Sequence, residues 1–165
     1  MDDDVWYNTF KEIDNSKFVR AVMNVISCVD EDWLLSEEAF LLYASCMYQP
    51  RYENFKKQME DLISDPSVRV YVCESQGKKT GMMVLIISDS VAEIIGIAVS
   101  EKKRRQGTGR RMIQYVMKSE GLERINAQTD DDSIGFYRKC GFTEERIVVD
   151  YPDGSVVRYN CVLSK

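Results

Sequence analysis

Apolar and polar positions follow two different periods along this chain, and the change between them falls near Pro66. Before it the spacing is helical. Phe18, Val22, Val25, Ile26 and Val29 recur every three or four residues, which predicts a helix with one buried stripe. Ser36-Glu37-Glu38 ahead of Ala39-Phe40-Leu41-Leu42 reads as an N-cap with acidic residues in the first helical turn. Pro50 and the pair Asp65-Pro66 bracket a third helix over Arg51 to Ile63. The stretch from Val5 to Ile13 fits a short helix and a first strand equally well.

After Pro66 the period becomes that of strands. Val68-Arg69-Val70-Tyr71-Val72-Cys73-Glu74 alternates, Gln76-Gly77-Lys78 turns, and Thr80 to Ile87 and Val91 to Val99 continue as apolar strands across Asp89-Ser90. Three strands with tight connections predict an antiparallel meander. A helical pattern from Arg110 to about Ser119, stopped at Gly121, leads to a strand over Leu122 to Gln128, which after such a crossover should run parallel to the strand before it. A short helix over Asp132 to Lys139, ended by Gly141, and a strand pair, Phe142 to Asp150 and Ser155 to Leu163, complete the chain. The predicted class is α+β, a mixed and mostly antiparallel sheet with helices layered on both faces, and no internal repeat is present.

At 165 residues, with 44% hydrophobic and 30% charged residues, the chain suits a single domain able to bury a full core. Residues 1–65 form its mainly helical part and residues 68–163 its sheet. The acidic start Met1-Asp2-Asp3-Asp4 is unlike a secretory signal, and the longest apolar run, Met82 to Ile87, is too short to span a bilayer. Both features point to a cytoplasmic protein without membrane association. Cys28, Cys46, Cys73, Cys140 and Cys161 are odd in number and irregular in spacing, so neither a disulfide framework nor a metal site is expected. Histidine is absent, which removes His-based nucleophile arrangements and leaves proton transfer to Asp, Glu, Tyr, Lys or Cys.

One segment departs from the net charge of −5: six of the ten residues from Lys102 to Arg111 are Lys or Arg. Within it Arg104-Arg105-Gln106-Gly107-Thr108-Gly109 joins an apolar strand to a helix start. Glycines let an anion reach backbone N–H groups, and the helix N-terminus adds a favourable dipole. A Walker loop would need Gly-Lys-Ser/Thr, and Gly109 is followed by Arg110-Arg111. The dinucleotide fingerprint lacks its third glycine and its βαβ context. A nucleic-acid patch is disfavoured by the overall acidity and by the lack of a second basic stripe.

The pattern R-x-x-G-x-G after an apolar strand resembles the GNAT superfamily of acyl-CoA-dependent N-acyltransferases, with Arg104, Gly107 and Gly109 at the matching positions. About thirty residues on, Ile134-Gly135-Phe136-Tyr137-Arg138-Lys139-Cys140-Gly141-Phe142 is similar to the family's closing helix and strand. Asp130 and Ser133 stand where members commonly carry Asn and Ala, and the family's usual first strand is not evident. The resemblance implies an acetyl-CoA-dependent N-acetyltransferase with no metal. The pyrophosphate would lie on the backbone of Arg105, Gln106, Gly107, Thr108, Gly109 and Arg110, with Arg104 also helping to fix the cofactor. It implies a small-molecule or peptide amine as acceptor, with the helical first 65 residues on the acceptor side. In this family the final strands often pair between subunits, so a homodimer is one of the states implied.

Direct transfer needs a base for the ammonium, a donor for the carbonyl oxygen and an acid for the departing thiolate. Glu93, an acidic residue in the apolar strand Val91-Ala92-Glu93-Ile94-Ile95, is the candidate base, with desolvation expected to raise its pKa; the alternative is a solvent-facing glutamate of an alternating strand. Tyr137 is the candidate acid, against a core aromatic beside Phe136 and Phe142. The oxyanion donor is expected to be a backbone N–H freed by a bulge or splay in the strand, which Gly96 permits, with Ile97 at the matching family position. Ile97, Ala98 and Val99 would then line the pantetheine arm while also serving as strand core. A non-catalytic acyl-CoA-binding module with the same fold is the competing reading.

Overall fold

The computed structural model describes residues 25–165. The expectations for Val5 to Ile13, Phe18 and Val22 lie outside the described residues. In chain order the elements are β1 (Val25–Cys28), α1 (Glu31–Leu34), α2 (Glu37–Tyr43) with a 3-10 turn at Ala44–Cys46, α3 (Tyr52–Ile63), β2 (Val68–Ser75), β3 (Lys78–Ser88) and β4 (Val91–Val99). A 3-10 turn at Glu101–Lys103, α4 (Thr108–Ser119), β5 (Arg124–Thr129), α5 (Ile134–Lys139), β6 (Thr143–Tyr151) and β7 (Gly154–Ser164) follow.

Among the described residues seven strands form one sheet in the order β1-β2-β3-β4-β5-β7-β6. Every neighbouring pair is antiparallel except β4 and β5, which run parallel as the helical crossover through α4 requires. The class is therefore α+β with a mixed, mostly antiparallel sheet.

One expectation fails inside the described part. The spacing of Val25, Ile26 and Val29 predicts a helix, yet Val25–Cys28 is a strand paired with Tyr71–Glu74 of β2. Val25 and Ile26 are β-branched and suit a pleated surface. A helix would satisfy this segment's own backbone groups but leave the edge of β2 unpaired, whereas pairing as a strand satisfies both, so tertiary pairing overrides the local period. Val29 extends the contact, its N–H donating to the Val70 carbonyl at 3.1 Å.

Two cores result, one on each face of the sheet. Leu34, Ala39, Tyr43, Phe55 and Met59 of α1–α3 cover Val68, Val70, Val72, Met82, Val84 and Ala98 of β2–β4. On the opposite face Met112, Ile113 and Val116 of α4 and Ile134 and Tyr137 of α5 cover Met83, Leu85, Ala92, Ile94, Ile125, Ala127, Tyr159 and Cys161. Each large apolar side chain buried in this way contributes about 1.5–3 kcal/mol. Local signals agree with these helices. Asp30 accepts from the Trp33 N–H at 2.8 Å and Ser36 from the Ala39 N–H at 3.3 Å, capping α1 and α2.

Candidate active site at the opening between β4 and β5

Strands β4 and β5 are in register only over Val91–Ile94 and Arg124–Ala127. Beyond Ile94 the two separate, and Gln128 and Thr129 pair with β7 alone. The cause lies on the other side of β4. Val84 opposes Gly96 while the next residue of β3, Leu85, opposes Ile94, so Ile95 is an extra residue in β4. Such a bulge bends and twists its strand and swings the end of β4 away from β5. The bulge stands at Ile95, next to Gly96, and the splay from β5 begins at the same place.

The backbone beyond the bulge faces the opening in alternation. The Ser100 N–H donates to the Thr80 carbonyl at 2.8 Å, which makes Gly81 and Val99 a non-hydrogen-bonded pair, and by alternation Met83 and Ile97 as well. The N–H and C=O of Ile97 and Val99 therefore point away from β3, into the gap that β5 has left. Their carbonyls are engaged by side chains: Cys46 Sγ donates to Ile97 O at 3.0 Å and Arg104 Nε to Val99 O at 2.9 Å. Ala98, between them, turns its backbone to β3 and buries its side chain.

The basic loop closes one end of the gap. Arg105 has φ 60° and Gly107 has φ 77°, two left-handed residues that reverse the chain into α4. Gly107 is the N-cap of α4 and no side chain among the described residues caps that helix, which leaves its first N–H groups to an anion. The loop's own side chains brace it: Arg111 Nη1 donates to Gln106 O at 2.9 Å, Arg111 Nη2 to Thr108 Oγ1 at 3.2 Å and Gln106 Nε2 to Lys102 O at 2.8 Å. Thr108 and Gly109 are buried, and a Cβ on Gly109 would stand 2.8 Å from the Phe136 ring, so the glycine lets α4 and α5 meet beside the gap. On the helical side of this turn a cleft of about 370 Å³ lies between Leu41, Leu42 and Ser45 of the α2 region and Lys79, Val99 and Arg104.

Three side chains with acidic protons converge on the gap. Tyr137 comes from α5 on one face, its ring stacked edge-on between Phe136 at 5.1 Å and Phe142 at 5.2 Å between centroids. Tyr43 comes from α2 on the other face and lies directly on Gly96. Cys46 follows it in the 3-10 turn. Burial, with smaller contributions from Cys46 to both and from Tyr137 to Tyr43, raises both phenols well above the ordinary tyrosine value. Cys46 as a residue is exposed, but its sulfur turns inward to Ile97 O, and the desolvation there pushes the thiol up to about 11. Neither phenol hydroxyl has a hydrogen-bond partner among the described residues.

Glu93 lies on the face opposite Tyr137. Its neighbours Ala92 and Ile94 are buried under α4, so alternation turns Glu93 toward the side of α1–α3, in register with Ile86 of β3 and Asn126 of β5. It is exposed there. The desolvation expected from its apolar strand neighbours is thus absent, because those neighbours bury themselves on the other face. Tyr43 and Cys46 were not anticipated from the sequence; the one available signal was Gly96, a residue without a side chain in an otherwise filled strand.

Among the described residues no group of three or more His, Cys, Asp or Glu is arranged to hold a metal ion, and no helix is long and apolar enough to cross a membrane.

Residues 34–142 match the family model described as Acetyltransferase (GNAT) family. No curated protein matches the chain significantly in sequence. In fold the chain is similar to the ribosomal-protein-S18-alanine N-acetyltransferase from Escherichia coli, at 18% identity and TM-score 0.66, covering 86% of this chain and 94% of that one. It is likewise similar to a spermidine N-acetyltransferase SpeG chimera built from the Vibrio cholerae enzyme and hSSAT, at 19% identity and TM-score 0.67, over 86% of this chain and 95% of that one. An aminoglycoside 6'-N-acetyltransferase complexed with coenzyme A matches at 16% identity and TM-score 0.66, over 85% and 96% of the two chains.

Proposed function

Because the chain belongs to the GNAT acetyltransferase family and is an acetyl-CoA-dependent acyltransferase, we propose that it acetylates a primary amine by direct attack in a ternary complex at the β4–β5 opening. The observation that supports this best is the concurrence of three features at one gap: the uncapped start of α4, the free β4 edge, and Glu93 and Tyr137 on opposite faces of the sheet.

The residues present fit coenzyme A. Uncapped N–H groups at Gly107, Thr108, Gly109 and Arg110, with the positive end of α4, suit the pyrophosphate. Outward-facing N–H groups of Ile97 and Val99 suit the amides of an extended arm lying where β5 is missing. Bound there, acetyl-CoA supplies an activated acyl carbon. Glu93 attracts the acceptor ammonium and takes its proton. The freed nitrogen bonds to the acyl carbon and the carbon–sulfur bond breaks. The Ile97 N–H donates to the carbonyl oxygen as charge gathers on it. The Tyr137 hydroxyl gives its proton to the leaving sulfur and recovers one from water. The nitrogen loses two protons in all, one to Glu93 before attack and one to solvent from the adduct; the second balances the proton gained by sulfur, so one proton is released per turnover.

Thiol release from acetyl-CoA across a panel of polyamines, aminoglycosides, amino acids and lysine peptides, with the acetylated product weighed by mass spectrometry, tests the proposal. Tight coenzyme A binding with no turnover on any amine would instead support a non-catalytic binding module. If Glu93 is the base, Glu93→Gln lowers kcat/KM about a hundredfold near neutral pH. The loss shrinks as pH rises through the pKa of the amine itself, because a neutral amine needs no base. A loss independent of pH would assign Glu93 to binding instead.

Gly107→Ala probes the loop separately. A Cβ at φ 77° costs about 1–2 kcal/mol and would stand 3.3 Å from Arg111 Nη1, the guanidinium nitrogen that braces Gln106. The expected result is a fall of that size in urea unfolding free energy, with coenzyme A affinity reduced several-fold in calorimetry.

A further inference from the structure

Tyr43 is the most deeply buried tyrosine among the described residues, and no step of the transfer uses it. Its ring is 2% exposed and packs at the end of α2 against Phe55, 6.0 Å between centroids. Burying a phenol costs free energy unless its hydroxyl finds a partner, and a phenylalanine would fill the same space without that cost. Yet the Tyr43 hydroxyl has no partner among the described residues. No fully buried side-chain oxygen or nitrogen there lacks one, so the hydroxyl is the end of this side chain that stays open.

Gly96 fixes where it opens. A Cβ on that glycine would stand 2.0 Å from the hydroxyl oxygen, which puts the oxygen within about 3.5 Å of Gly96 Cα, a carbon–carbon bond being roughly 1.5 Å. Gly96 lies past the last residue of β4 that pairs with β5, and the peptide that follows it presents the Ile97 N–H to the gap. The Tyr43 O–H and the Ile97 N–H therefore stand within reach of a single oxygen atom. Both are held in place by the fold itself, the ring by its packing and the strand edge by Cys46 Sγ, which donates to the Ile97 carbonyl at 3.0 Å. Burial, with the nearby Cys46 thiol and Tyr137 phenol, keeps the Tyr43 phenol protonated at neutral pH, so it is a donor and not a base.

An oxygen that gathers negative charge in a site shielded from water is stabilised most by donors already aimed at it. We propose that Tyr43 is a second donor to the acyl carbonyl oxygen, forming a two-point oxyanion site with the Ile97 N–H. The inference rests on the reading of the β4–β5 opening as the site of transfer. The two phenols then divide the work across the sheet. Tyr137, from α5, gives its proton to the leaving sulfur, whereas Tyr43, from α2 on the Glu93 face, keeps its proton and lends only a hydrogen bond.

The test is Tyr43→Phe in the full chain, read in two ways. The first is the infrared carbonyl stretch of acetyl-CoA, isotopically labelled at its carbonyl carbon and bound to the protein without amine. A hydrogen bond weakens the C=O bond, so the stretch should rise in frequency when the hydroxyl is removed. The second is steady-state kinetics. The expected result is a loss of roughly 10²-fold in kcat, the cost of one oxyanion donor, with the amine KM and coenzyme A affinity unchanged. Urea unfolding should match the parent, because the ring keeps its contact with Phe55 and the hydroxyl has no partner among the described residues to abandon. An unmoved carbonyl stretch overturns the proposal and leaves the transfer reading intact; a rate loss beside it would assign the hydroxyl to the amine. An unchanged kcat overturns the proposal equally. Absence of turnover on every amine overturns the transfer reading, and the infrared measurement then still decides whether the hydroxyl meets the carbonyl.

Discussion

Gly96→Ala is expected to lower the unfolding free energy by about 1–3 kcal/mol and to cut amine acetylation at least tenfold. The Cβ would stand 2.0 Å from the Tyr43 hydroxyl oxygen and within 2.9 Å of two of its ring carbons, distances no side chain tolerates. Neither partner yields easily. Gly96 is held in the ladder opposite Val84 beside the bulge, and the Tyr43 ring is 2% exposed and packed 6.0 Å from Phe55 between centroids. Moving Tyr43 disturbs the end of α2 and the turn that carries Cys46, whose thiol holds the Ile97 carbonyl at the edge of the gap. The damage should therefore reach the N–H of Ile97, which is assigned to the carbonyl oxygen. Urea unfolding and steady-state rates on the same preparation check both parts. Adding Tyr43→Phe removes the nearest contact but not the ring carbons, so the double variant should recover stability in part. A Gly96→Ala protein as stable and as active as the parent would show that Tyr43 is not seated as described.

The contrast between Gly96 and its neighbours explains how far the site could be read from the chain alone. Strands β2 to β7 and α4 were legible because their burial follows the local period, and the loop Arg104 to Gly109 because glycine and arginine at fixed spacing serve one purpose. β1 was not legible. Val25 and Ile26 satisfy a helical and a strand period alike over four residues, and the edge of β2 decides between them. Glu93 shows a subtler limit. Its place in the alternation was readable, but an apolar run says nothing about which face a helix will cover, so the expected desolvation fell on Ala92 and Ile94 instead. The opening itself is a register property: one extra residue at Ile95, set against a β5 that stops pairing at Ala127. No local composition encodes it. Tyr43, 53 positions before Gly96 in the chain, could be found only by folding the two together.

Tyr137→Phe should separate chemistry from structure more cleanly than any other change. The ring would keep its edge-on contacts with Phe136 and Phe142, and the hydroxyl has no partner among the described residues to abandon, so stability near neutral pH and coenzyme A affinity should stay within error. The rate should not: losing a positioned proton donor costs roughly 10²–10⁴ in kcat. Burial raises the phenol above its ordinary value near 10, so the hydroxyl stays protonated at every pH a working enzyme meets. The wild-type rate should consequently show no falling limb below about pH 10 that Tyr137→Phe could remove, and the two profiles should run parallel on a logarithmic scale up to that point. The same shift has a sign for stability. A phenol that ionises less readily folded than unfolded stabilises the fold below its unfolded pKa, and that contribution is lost as pH rises beyond it. Tyr137→Phe should therefore make the protein more resistant to alkaline unfolding while leaving it nearly inactive. Retention of kcat in this variant would remove Tyr137 from the transfer step and leave the thiolate to be protonated by water entering the opening.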